Sequence, residues 1–169
     1  SGRLQDNARK TGKYVWPKNH IIDLTFPQVL DRIVQEFPDQ YAFRYTTHDY
    51  TRTYSEFRDD VDTFARTLIA LGVKPGEHVA IWAENVPQWF ITFWATVKIG
   101  AVLVTVNSAY KIHEAEYLLR QSDTHTLVMT DGSKDSDNVA IINELAPELL
   151  ADHPRGFLHS GVSQRCDAT

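Results

Sequence analysis

The sequence predicts an α/β fold: a parallel, doubly wound sheet flanked by helices, with a small β-hairpin on its N-terminal side. Three observations carry this. Between residues 54 and 130, stretches with helical apolar spacing alternate with short continuous apolar runs of strand length. Turn residues punctuate them at Gly72, Pro75-Gly76, Gly100 and Asp131-Gly132. Ahead of this series, two β-prone runs flank one polar turn. The expected organisation is an N-terminal arm over 1–24, one α/β subdomain over 25–150 and an irregular tail over 151–169.

Residues 1–20 are polar and aperiodic, with Tyr14, Val15 and Trp16 as the only apolar cluster. From Thr25 to Phe37, Phe26, Val29, Leu30, Ile33, Val34 and Phe37 recur three and four apart, which predicts an amphipathic helix stopped by Pro38. Tyr41–Tyr45 and Tyr50–Tyr54 then form the hairpin. The second run ends in Thr53-Tyr54-Ser55-Glu56, a Thr-x-x-Glu capping box that opens a helix. Phe57, Val61, Phe64, Ala65 and Leu68 make its apolar face. Gly72 is placed to end it in a left-handed conformation.

Val79 to Ala83 is a buried strand by its continuous apolar run. Asn85 reads as the N-cap of the next helix, with Pro87 in its first turn. Trp89, Phe90, Phe93, Trp94 and Val97 spread over more than one side of that helix, so more than one sheet face is expected to cover it. Ala101–Val106 is a second buried strand, Ile112–Gln121 a helix with Ala115, Leu118 and Leu119 inward, and Thr126–Thr130 a third strand. Beyond Asp131 the pattern weakens, although "NVAIINEL" suits a further helix.

The bulk properties exclude several function classes. A net charge of -5 with 17 scattered Lys and Arg leaves no electrostatic footprint for nucleic acid. The single cysteine, Cys166, cannot form an intramolecular disulfide, and a reducing, cytoplasmic setting is expected. No apolar run approaches the roughly 20 residues that span a bilayer, and residues 1–10 lack the apolar middle of a signal peptide. The seven histidines never fall three or four apart, so no metal site is expected and each His reads as a surface or capping residue.

Ligands of an open parallel sheet bind beyond the carboxyl ends of its strands, here Glu84–Pro87, Asn107–Ile112 and Asp131–Asn138. None of these loops carries a glycine-rich phosphate cradle, since the eight glycines are dispersed. Asp59-Asp60 lies opposite the Phe57–Val61–Phe64 stripe and reads as a solvated face. Glu114, in the first turn of its helix, reads as a cap. Lys134 is the one basic residue of these loops after Lys111, and an ordinary exposed lysine accounts for it. Asp131 alone, without an acidic partner or a matching lysine, does not make a phosphoacceptor site. The aromatic residues of "WAENVPQWFITFW" read as core or interface before they read as a ligand wall.

Taken together, "TYSEFRDDVDTFARTLIALGVKPGEHVAIWAENVPQWFITFWATVKIGAVLVTVNSAY" resembles the N-terminal part of the adenylate-forming enzymes, specifically the acyl-CoA synthetases. The shared elements are the Thr-Tyr-x-Glu helix start, Leu-Gly-Val-Lys-Pro-Gly-Glu, Val-Ala-Ile, Asn-x-Pro-x-Trp, Lys-x-Gly-Ala-Val and Val-Asn-Ser-Ala-Tyr. The resemblance runs from about Pro38 to Asp131, and more weakly through "ELAPEL" and "RGFLHS" toward the medium-chain and fatty acyl-CoA synthetases.

That resemblance implies the first subdomain of the adenylate-forming fold, and a parent enzyme that joins a carboxylic acid to coenzyme A using ATP and Mg2+. The family's phosphate loop, its adenine, ribose and Mg2+ motifs and its catalytic lysine domain have no counterpart in this sequence. "GVSQRCDAT" departs from the family's continuation. The resemblance therefore implies a truncated or altered fragment, catalytically inactive alone and binding no cofactor tightly, whose partners are the remainder of the synthetase or a second copy of itself. It assigns no catalytic residue. It places Lys134 and Asn107 on the side of coenzyme A. The competing expectation is a stand-alone module that binds coenzyme A or an acyl chain without catalysis.

Overall fold

The computed structural model describes residues 23–84, 86–133 and 136–145. Helix α1 (Phe26–Glu36) leads into a hairpin of β1 (Tyr41–Tyr45) and β2 (Tyr50–Thr53), followed by α2 (Tyr54–Ala70). The series β3 (His78–Trp82), α3 (Pro87–Lys98), β4 (Val102–Thr105), α4 (Ile112–Gln121) and β5 (Thr124–Met129) comes next. It closes with a short ribbon of β6 (Gly132–Ser133) and β7 (Ser136–Asp137), then α5 (Asn138–Leu145). The ribbon was not expected from the sequence; the "NVAIINEL" helix was.

Both N-terminal helices start as reciprocal caps. Thr53 Oγ1 accepts from the Glu56 N–H at 3.3 Å, while the Thr53 N–H donates to Glu56 Oε2 at 2.8 Å. Thr25 and Gln28 repeat the arrangement at α1, the Thr-x-x-Gln form of the same box. Gly72 follows α2 with φ of 88°, a conformation that a Cβ disfavours. The start of α3 differs from expectation: its N-cap is Val86, which has no side-chain acceptor, and Pro87 occupies the first turn. Asn85 lies outside the described residues, as do Tyr14, Val15, Trp16, Cys166 and nearly all of the expected arm and tail.

The central sheet is parallel, in the order β4-β3-β5. Its side chains divide with a period of two. Val79 and Val128 join Leu30, Val34, Phe57, Val61 and Leu68 in a core with α1, α2 and α3. Ala80, Trp82, Leu127 and Met129 point the other way and pack with Ala115 of α4 and Ile142 of α5. Helices thus cover both faces. The aromatic side of α3 is covered as expected, by Phe26 of α1 against Phe93 and Trp94 at ring centroids of 5.4 and 5.7 Å, and by Phe43 of β1 against Phe90 at 5.1 Å.

Two expectations are corrected. Strand β4 is not buried: it is an edge strand among the described residues, and Val102 is 45% exposed. Its apolar run reflects one covered face, because a single-sequence pattern cannot tell a central strand from an edge. Asp60 is not on a solvated face, because the hairpin folds back onto α2 and Asp60 receives Arg52 Nε at 2.9 Å. His78 and His125, read as surface or capping residues, are partly exposed, and His78 bonds the C-cap of α4. They meet at the amino end of the sheet with ring centroids 6.1 Å apart, the His78 N–H donates to His125 Nδ1 at 3.3 Å, and the His78 ring bonds the Ser122 carbonyl.

Candidate functional site

Strand β3 comes first in the sheet and sits at its centre, so the chain leaves it toward β4 on one side and returns past it to β5 on the other. The two connecting helices consequently lie on opposite faces, and a crevice opens between the carboxyl ends of β3 and β5. A cavity of about 280 Å³ occupies this place. Its apolar walls are Ile81, Val128 and Met129 from the strands and Val86 from the start of α3. Its polar groups are Gln88, Thr92, Thr130, Asp131 and His48.

Each polar group arrives by a local cause. Pro87 fixes the start of α3, so Gln88 and Thr92 fall one turn apart on the same helix face. The Trp89 N–H donates to the Val86 carbonyl at 3.0 Å, which tightens that first turn. Thr130 continues β5, its N–H donating to the Trp82 carbonyl at 3.1 Å. Asn138, only 4% exposed, then holds the end of the strand: its side-chain amide donates to the Thr130 carbonyl at 3.2 Å, and its backbone N–H to the Asp131 carbonyl at 3.0 Å. His48 comes from the hairpin turn, brought over the crevice by the packing of Phe43 on Phe57 and Phe90.

Of the three loops singled out by strand order, the crevice joins Glu84–Pro87 to Asp131–Asn138 and leaves out Asn107–Ile112. Asn107 is exposed and serves its own turn: its side-chain oxygen accepts from the Ala109 N–H at 2.9 Å and its carbonyl from Tyr110 at 3.0 Å. Lys134 lies outside the described residues. Glu114 caps α4 as expected, accepting from the Lys111 N–H at 3.2 Å.

Sequence reasoning missed Gln88, Thr92 and His48. Gln88 stands within the Asn-x-Pro-x-Trp stretch, where a polar residue beside the expected N-cap was a usable signal, and Thr92 follows it at helical spacing. Nothing local marks His48, because only the tertiary fold of the hairpin brings it there.

The chemistry available is limited. Asp131 is the only charged residue on the cavity wall among the described residues. No group of three or more His, Cys, Asp or Glu converges to hold a metal ion among them. No Lys or Arg stands on this wall among the described residues, and His48 is its one basic side chain. The Tyr50 phenol is held well above its ordinary range, first by burial and then by Asp60, but it joins the hairpin to α2 and has no part in the crevice. No helix among the described residues is long and apolar enough to cross a membrane.

Comparison with known proteins gives the setting. Residues 30–161 match the family model described as AMP-binding enzyme. The chain is 39% identical over 134 residues to the Bacillus subtilis (strain 168) protein "Putative acyl-CoA synthetase YngI", covering 79% of this chain and 24% of that one. It is 32% identical over 136 residues to the mitochondrial medium-chain acyl-CoA ligase ACSF2 of Danio rerio, covering 80% and 22%. The N-terminal domain of FACL13 from Mycobacterium tuberculosis superimposes with a TM-score of 0.66 at 21% identity, over 72% of this chain and 30% of that one, a likeness of fold. The chain thus spans about a quarter of the length of these curated relatives.

Proposed function

The chain belongs to the AMP-binding enzyme family, and from that premise we propose that it is the first α/β subdomain of an acyl-CoA synthetase acting on a fatty or other carboxylic acid. The observation that carries this is the family match across residues 30–161, together with 39% identity to a protein named as an acyl-CoA synthetase. The reaction has two steps. The carboxylate attacks the α-phosphorus of ATP, forming an acyl-adenylate and releasing pyrophosphate. The thiolate of coenzyme A then displaces AMP, forming the thioester. A carboxylate is a poor electrophile, and its mixed anhydride with AMP supplies the leaving group that the thiolate needs.

In this reading the 169-residue chain supplies the scaffold and not the chemistry. Its sequence holds no glycine-rich phosphate cradle, and the described cavity wall carries no Lys or Arg. ATP, Mg2+ and coenzyme A are handled by the longer enzyme. The remainder of that enzyme covers the exposed Phe26 and the β4 edge at Val102. Lys134 and Asn107 are the proposed residues facing coenzyme A.

Two experiments test this. The 169-residue chain incubated with ATP, Mg2+, coenzyme A and octanoate forms no acyl-CoA above the buffer control; formation of the thioester refutes the scaffold role. A chimera in which residues 30–161 replace the matching segment of the Bacillus subtilis relative retains acyl-CoA formation on that relative's substrate. A folded but inactive chimera refutes the synthetase assignment.

A further inference from the structure

The amino end of the sheet holds a pair of residues that the scaffold reading leaves unused. We infer that His78 and His125 form an acid-sensitive clasp, which holds the starts of β3 and β5 together while the His125 ring is neutral and releases them when that ring takes up a proton. The inference does not rest on the proposed reaction, because the clasp lies at the opposite end of the strands from the crevice.

The clasp arises from an irregularity of the ladder. Alternate residues of β3 turn their main-chain groups to opposite neighbours: the Glu77 and Ile81 carbonyls accept from the Val102 and Val106 N–H groups on the β4 side, and the Trp82 carbonyl accepts from Thr130 on the β5 side. The His78 N–H, in phase with Trp82, is therefore aimed at β5. There the register shifts, since His78 pairs with Thr124 but Val79 with Thr126, and the extra residue is His125. Its imidazole supplies the acceptor, taking the His78 N–H on Nδ1 at 3.3 Å. A side-chain nitrogen thus stands where a strand carbonyl would, and unlike a carbonyl it can bind a proton at ordinary pH.

The tautomers follow from these bonds. Nδ1 of His125 must be bare to accept, so the one ring proton sits on Nε2. The His78 ring is the reverse, because its Nδ1 meets the Ser122 carbonyl, which can only accept. A further proton on His78 goes to Nε2 and leaves that bond intact. On His125 it must go to Nδ1, where it removes the acceptor and sets one N–H against another. Two protonated rings with centroids 6.1 Å apart also repel. No other ionisable side chain belongs to β3, β4 or β5. The charged groups of the adjoining segments are Glu77 before β3, Asp123 before β5, Arg120 with its partner Glu116 in the last turns of α4, and exposed Glu144 near the end of α5. Arg120 is the only base among them and is paired, so His78 is the cation that a protonated His125 meets. The closed clasp excludes a proton from Nδ1 and the open one admits it, so acid shifts the balance toward the open form.

Backbone amide exchange of the 169-residue chain, read by NMR and corrected for the pH dependence of free amides, tests this. Between about pH 7.5 and pH 5.5, where histidine ordinarily changes charge, protection of the His78 amide is expected to fall about ten-fold. Protection at Val106, whose N–H bonds the Ile81 carbonyl, stays within about two-fold. His125→Asn keeps an acceptor where Nδ1 stood but takes up no proton in this range, so its His78 amide changes by less than about two-fold. His125→Phe keeps a ring without an acceptor and leaves the His78 amide weakly protected at both pH values. The wild-type comparison needs no variant to fold. Equal His78 protection at both pH values in the wild type, an equal fall at Val106, the same ten-fold loss in His125→Asn, or wild-type protection in His125→Phe each overturns the inference.

Discussion

The Tyr50 hydroxyl donates to Asp60 Oδ2 at 2.7 Å, and Arg52 Nε donates to the same oxygen at 2.9 Å, so one carboxylate of α2 anchors two neighbouring positions of the hairpin. The Arg52 guanidinium also lies over the Tyr50 ring at 4.7 Å. The hairpin is thereby fixed against α2, and with it the turn that carries His48 to the crevice.

Tyr50→Phe removes the phenol bond and is expected to cost about 1 kcal/mol, the low end for a hydrogen bond to a charged group because the site is only half-buried. The cost depends on pH. Burial first, then Asp60, raise the folded-state value above the ordinary 10.0, so the unfolded chain ionises first. The phenol's contribution is complete below about pH 10 and is lost as pH rises through the folded value. Urea unfolding should show the difference between wild type and Tyr50→Phe at pH 8 shrinking at pH 11.

Thr53→Ala breaks the box that starts α2, leaving the Glu56 N–H without its acceptor. A loss of about 1 kcal/mol is expected by chemical denaturation. Amide exchange should accelerate in the first turn of α2 and not at its centre. Uniform acceleration would place the loss elsewhere.

Gly100→Ala tests backbone against packing. Gly100 has φ of 78°, and an added Cβ would lie 3.5 Å from Pro75 Cβ, an ordinary contact. The penalty is then that of the left-handed backbone alone, about 1–2 kcal/mol. A midpoint shift equivalent to 4 kcal/mol or more would show a steric conflict that this geometry lacks.

The edge position of β4 makes its outer residue tolerant. Val102→Thr, at a residue 45% exposed, is expected to change stability by less than about 0.5 kcal/mol, whereas Leu68→Ala, at a fully buried position, costs about 2–5 kcal/mol. Equal effects in thermal unfolding would mean that β4 is covered in solution by another chain surface.

Much of the fold was legible because its causes are local. The Thr53–Glu56 box, the Gly72 stop and the spacing of Phe57, Val61, Ala65 and Leu68 each act within a few residues, and α2 follows from them directly. The site was legible only in outline. Strand-end loops could be named from strand order, but which two of the three would meet depended on which strands were neighbours, and Asn107 proved to serve its own turn.

By itself, the sequence determined the element types, most of their boundaries, the parallel α/β class and the family, since periodicity, caps, turn residues and ordered motifs are all written in contiguous stretches. Only the tertiary structure decided that β4 lies at an edge, that Asp60 binds the hairpin, that His78 meets His125, and that His48, Thr92 and Asp131 share one crevice. The physical reason is range. A cap or a turn is fixed by atoms within one or two turns of chain. Pairing order and crevice lining are fixed by which apolar surfaces bury one another across tens of residues, and no local pattern encodes that choice.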